Sequence, residues 1–177
     1  MKGKAPYWSS AIIASNLLVA AYLATVFWNE PLTIRGNWFK LGENQFTYSF
    51  YLDKVALTMS LIVNFVALLV HIFSTEYMRT DANKPRYFAY LGLFTFSMMG
   101  IVLFNDLLFI FIFWELVGVS SYLLIGFWFQ KKSASLAANK AFILNRIGDL
   151  GFITGLMILF TQFHSLDLDA VKSLMIM

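Results

Sequence analysis

The 177-residue chain has no cysteine, only 3 prolines and 2 histidines, and just 13% charged residues. Without thiols it can form no disulfide, thiolate metal centre or cysteine-ligated iron–sulfur cluster of its own. It also has no glycine-rich phosphate loop, so nucleotide chemistry has no obvious seat. The charge content is about half the ~25% usual in soluble domains, and no basic patch suggests a nucleic-acid partner. What the chain has in quantity is hydrocarbon: 59% of its residues are hydrophobic, including 19 Phe and 5 Trp.

That hydrocarbon is gathered into runs. Five of them, at about 8–28, 54–74, 86–104, 107–129 and 137–162, approach or exceed the ~20 residues a helix needs to cross a ~30 Å hydrocarbon core. Helices are expected because backbone amides in lipid must be satisfied within the segment, and the two-residue alternation of a membrane β-barrel is missing. The predicted fold is an all-α integral membrane bundle of about five spans, and residues 1–177 form one membrane domain. The N-terminal run lacks a small-residue cleavage site and reads as a retained span. Between the first two spans, "NWFKL-GEN-QFTYSF" alternates aromatic and polar residues around Gly-Glu-Asn, predicting a β-hairpin-like loop at about 37–50. Such a loop is expected to cap a bundle or dock on a neighbouring subunit.

Five spans put residue 1 and the C-terminus on opposite faces. The face of residue 1, here side A, receives Lys2, Lys4, Arg79, Lys84, Arg86, Lys131, Lys132 and Lys140; side B receives Arg35, Lys40, Lys54 and Lys172. This bias makes side A the expected cytoplasmic face.

Against this background the polar residues at membrane depth carry the information. Glu115 interrupts "FIFWELVGVSSYLLIGFW" about 12 Å from the side B end of its span, at ~1.5 Å per residue. Gly118, Val119, Tyr122 and Gly126 share its helical face, so the carboxylate is expected to point into protein or a wet cavity, not into lipid. In the next span, "NRIGD" sets Arg146 and Asp149 three residues apart, where they can meet. Gly148, Gly151 and Gly155 add a small-residue stripe for helix packing. The two spans run antiparallel, which brings Glu115 and Asp149 to similar depth.

Desolvation disfavours a buried carboxylate's charge unless a cation compensates. Glu115 is therefore either a proton carrier or half of a switchable ion pair, whereas Arg146 can tune such a site without releasing a proton. The Arg146–Asp149 pair also reads as structural glue. Lys140, His71 and Tyr122 are weaker candidates: Lys140 lies toward the side A end and about 180° around the helix from Asp149. His71 is expected to be hydrated near a helix end. Asp53 and Lys54 anchor the start of a span, Asn105 and Asp106 read as a tight turn with a helix cap, and His164, Asp167 and Asp169 as a solvated tail.

These residues carry a family resemblance. "LDKVALTM", "HIFSTEYM", the run around Glu115 and above all "NRIGD" (145–149) resemble the antiporter-like membrane subunit, of the chain L or subunit 5 type, of proton-pumping NADH:quinone oxidoreductase, respiratory complex I. The Glu115 run is also similar to subunits of multisubunit cation/proton antiporters, the alternative reading; a structural scaffold without transport is a second. The resemblance implies that Glu115 belongs to a proton half-channel and pairs with a lysine on the helix next but one, outside this sequence. It further implies that the chain corresponds to the second to sixth spans of a longer subunit. The implied partners are protons, the bilayer and other membrane subunits, with flavin and iron–sulfur clusters elsewhere in the complex and no cofactor in this chain. A bacterial inner membrane is the implied location, with the mitochondrial inner membrane as the alternative.

Overall fold

The structure, a computed structural model, describes residues 5–42 and 44–176. Lys2, Lys4 and the expected turn residue Glu43 lie outside the described residues. In chain order the elements are α1 (Ala5–Phe27), β1 (Leu32–Leu41), β2 (Asn44–Leu52), α2 (Lys54–Tyr77), α3 (Lys84–Leu103), α4 (Leu107–Ile125), α5 (Lys132–Phe163) and α6 (Leu168–Ile176). The first five of these helices are long and apolar enough to cross a membrane. The 3 prolines lie at Pro6, in the first turn of α1, at Pro31 in a loop, and at Pro85, where α3 begins. No span is therefore interrupted by a residue that removes a helical hydrogen bond.

Helix starts follow the local chemistry. The Asp53 carboxylate accepts the Ala56 amide at 2.7 Å to open α2, and Asp106 accepts the amides of Leu108 and Phe109 to open α4. Each supplies an acceptor for first-turn donors that have no intrahelical partner. At the other end of α5, His164 adopts a left-handed conformation with φ 50° that stops the helix.

The spans pack in a sequence-ordered row: α1 against α2 and α3, α2 against α3, α3 against α4, and α4 against α5. Gly100 lets α3 approach α4 closely, since a side chain there would run into the Phe113 ring. Phe104, Phe109 and Phe113 stack across the α3–α4 turn, with ring centroids 4.7 and 5.1 Å apart.

The hairpin forms as expected but is longer, pairing from Leu32↔Leu52 to Leu41↔Asn44 with an irregularity between Asn37 and Phe39. It caps its own bundle: Trp38 meets Phe109 at 4.7 Å and Phe50 meets Phe104 at 4.3 Å. Beneath it, three segments cross on side B. Asn105 N–H donates to the Ser49 carbonyl at 2.8 Å, Leu107 N–H to Leu166, and Leu168 N–H to Asn105.

Two expectations fail here. Asp167 and Asp169 do not form a solvated tail. Asp167 is buried, accepting from the Ser49 hydroxyl at 3.1 Å and from the first amides of α6, while Asp169 holds Arg35 at 2.9 Å and the Asn105 amide at 3.0 Å. His71 is not hydrated at a helix end but completely buried in the α2–α3 seam, its ring 5.9 Å from Phe88. Helix α2 continues to Tyr77, and the folded-back connection lays Met78, Phe88 and Phe127 together over that end. The Ala67 carbonyl, 2.7 Å from Nδ1, can only accept, so Nδ1 carries the proton and Nε2 is left as a buried acceptor without a partner among the described residues.

Candidate functional site

Helices α4 and α5 run antiparallel, and their contact places Glu115, Arg146 and Asp149 in one cluster. Arg146 forms a direct ion pair with Glu115 on the facing helix and lies 3.7 Å from Asp149 on its own. One guanidinium thus bridges two carboxylates. With all three groups ionised, the cluster carries one surplus negative charge. The side chains of Asp149 and Glu115 are 10% and 18% exposed, against 41% for Arg146. The acids are therefore turned inward, and the cation closes over them.

Aromatic rings hold the cation in place. The Arg146 guanidinium lies 4.8 Å over the Phe142 ring, a favourable cation–π geometry, and Phe142 in turn packs on Tyr122 at 5.3 Å. Asp149 takes a second donor from the Trp114 indole N–H at 3.1 Å, and the Trp114 ring lies parallel to Phe152. This bond puts Asp149 level with residue 114, the depth at which Glu115 also lies. Trp114 was not among the residues singled out from the sequence; its signal was its position directly before the glutamate, the one aromatic with an N–H donor at that depth.

The remaining candidates divide by position. Tyr122 lies two helical turns toward side A from Glu115. Lys140 is exposed on α5 and has no part in the cluster. His71 belongs to the α2–α3 seam, away from α4 and α5. Gly118 faces Asn145, whose amide would lie 4.0 Å from an added Cβ, and Gly126 approaches Ala138 closely. Side chains added at Gly148, Gly151 or Gly155 would meet nothing within 4 Å, so this stripe faces away from the other described residues. Among the described residues, no group of three His, Asp or Glu side chains is arranged to hold a metal ion.

The geometry can be set beside known proteins. Residues 38–88 match the family model described as NADH-ubiquinone oxidoreductase (complex I), chain 5 N-terminus, and residues 104–177 match that of the NADH:quinone oxidoreductase/Mrp antiporter transmembrane region. The chain is 44% identical over 167 residues to NAD(P)H-quinone oxidoreductase subunit 5 of the Paulinella chromatophora organellar chromatophore, covering 94% of this chain and 25% of the relative. It is 42% identical over 166 residues to NADH-quinone oxidoreductase subunit L of Campylobacter jejuni, covering 93% and 27%. Over a shorter stretch of 108 residues it is 53% identical to F(420)H(2) dehydrogenase subunit L of Methanosarcina mazei, covering 61% and 16%. The chain thus spans about a quarter of the length of the first two relatives. In structure it resembles a chain of the membrane-bound sulfane sulfur reductase, an archaeal respiratory membrane complex. The TM-score is 0.80 at 20% identity, over 96% of this chain and 34% of that one, a likeness of fold alone.

Proposed function

We propose, on the premise that this chain belongs to the family of antiporter-like membrane subunits of NADH:quinone oxidoreductase, that it contributes a mid-membrane glutamate to a proton half-channel. The observation that carries this reading is the sharing of Arg146 between Glu115 and Asp149 across two helices. An acid in this setting has a cation that it can hold tightly or lose to its neighbour. Its affinity for a proton therefore depends on which carboxylate the guanidinium favours. Arg146 itself keeps its charge throughout. A lysine outside this sequence is the second partner for Glu115, and quinone reduction elsewhere in the complex biases the exchange.

In this reading the chain acts as one membrane unit among other membrane subunits, with protons as its cargo and side A facing the cytoplasm of a bacterial inner membrane. Redox chemistry, with flavin and iron–sulfur clusters, belongs to other subunits. The similarity to a subunit named for F(420)H(2) dehydrogenase fits this division, because a proton-handling membrane part need not read the identity of the electron donor.

Substituting Glu115→Gln in the intact complex should lower quinone-coupled turnover and proton pumping while leaving assembly and NADH oxidation by artificial acceptors unchanged. Normal coupled turnover in that variant would sink the proposal. A second reading, a cation/proton antiporter subunit, is favoured by the antiporter named in the family model over residues 104–177. Sodium-dependent proton movement in vesicles without NADH would decide for it.

A further inference from the structure

A separate polar pocket lies at the side A end of the bundle, where the first turns of α3 and α5 meet the last turn of α4. It encloses about 220 Å³ and is lined by Arg86, Tyr90, Tyr122 and Ser135 together with the apolar Phe127 and Phe129. The Arg86 guanidinium is clamped between two rings, 5.0 Å from the Phe127 centroid and 5.4 Å from that of Phe129. One terminal nitrogen donates to the Phe127 carbonyl at 3.3 Å, and the buried Nε has no acceptor among the described residues.

Among the described residues, no carboxylate lines this pocket. Asp81 acts on Arg86 through space, while its two oxygens accept from the Trp128 indole at 3.0 Å and the Asn83 amide at 2.7 Å. A guanidinium clamped between two rings, with no carboxylate hydrogen-bonded to it among the described residues, has capacity left for an anion. Its rigid fork fits the paired oxygens of a phosphate better than a point acceptor. Tyr90, Tyr122 and Ser135 bring three hydroxyl-bearing side chains to the pocket lining, and the exposed Lys131 and Lys132 stand at the start of α5 just before Ser135. The helix ends set the depth at the membrane surface, where lipid phosphates lie, and Phe127 and Phe129 offer apolar cover to the carbon attached to a diester.

We propose that this pocket binds the phosphate of an anionic lipid headgroup on side A, held by Arg86 and the surrounding hydroxyls. The intact complex, bearing wild-type chain or Arg86→Gln, is stripped of lipid in detergent and offered phosphatidylglycerol or inorganic phosphate. Bound phosphorus is counted after gel filtration. Wild type should retain one more phosphatidylglycerol per complex than Arg86→Gln, whose half-saturation should rise about ten-fold or more with the loss of charge-assisted bonds. Tyr90→Phe, which removes only a hydroxyl, should weaken retention several-fold, and it decides the question if Arg86→Gln fails to assemble. Retention equal to wild type in the variants overturns the site. A difference seen with inorganic phosphate but not with lipid assigns a soluble anion and overturns the lipid.

Discussion

The charge arithmetic of the α4–α5 cluster makes an asymmetric prediction about its three members. Substituting Glu115→Gln leaves Arg146 paired with Asp149 at 3.7 Å, and the new amide oxygen can still accept from the guanidinium. The loss is the difference between a charge-assisted and a neutral hydrogen bond, about 1 kcal/mol. Arg146→Gln is a different perturbation. It removes the cation from two inward-facing carboxylates, and stripping one partner from a buried pair costs about 3–5 kcal/mol. Because the Arg146 side chain is 41% exposed, the low end, roughly 3 kcal/mol, is the appropriate figure. The double variant gives the diagnostic sign: with Glu115 neutralised, the two-carboxylate repulsion disappears, so Glu115→Gln should partly rescue Arg146→Gln. Equilibrium unfolding of the intact subunit in mixed micelles, followed by tryptophan fluorescence, measures all three. If Arg146→Gln is no worse than Glu115→Gln, or the double variant is less stable than either single one, Arg146 acts by packing on Phe142 and not by sharing charge.

Two further expectations concern the scaffold. Gly100→Ala would drive a methyl group into the Phe113 ring and, by overpacking the α3–α4 seam, should cost about 1–3 kcal/mol in the same unfolding assay; an unchanged midpoint would show that Phe113 has room to turn away. Burial in the side B crossing, together with repulsion from Asp167, holds the Asp106 carboxyl above its ordinary value of 3.8 despite the two capping amides. The folded chain therefore takes up this proton before the unfolded chain does. The contribution favours folding below pH 3.8 and is lost as pH rises through the raised value. Asp106→Asn caps equally well and should remove that slope from a plot of stability against pH, whereas an unchanged slope would assign it to another group.

What was legible in the sequence was whatever is written locally. Apolar runs of helical length announced the spans, and aromatic–polar alternation announced the hairpin. Its first residues, Leu32 to Arg35, escaped because their partners, Ser49 to Leu52, lie across the turn and not beside them in the chain. Helix α6 and the buried Asp167 escaped for the same reason: a nine-residue helix preceded by His, Ser and Asp looks like tail until Ser49, Arg35 and Asn105 arrive from 64 to 134 residues away. His71 was misplaced because hydration was inferred from distance to the end of an apolar run, while the fold covers that end with the next helix's aromatics.

The site divides along the same line. Arg146 and Asp149, three residues apart on one helix, could be paired by eye, and Arg146 could be read as tuning Glu115, but not whether its guanidinium reaches across to it. Bringing α4 against α5 supplies that geometry. The guanidinium reaches Glu115 directly while staying within 3.7 Å of Asp149, and the Trp114 indole supplies Asp149 with a donor that makes it less dependent on the cation. A sequence specifies how many charges occupy a membrane, but which acid holds the shared cation is decided between helices.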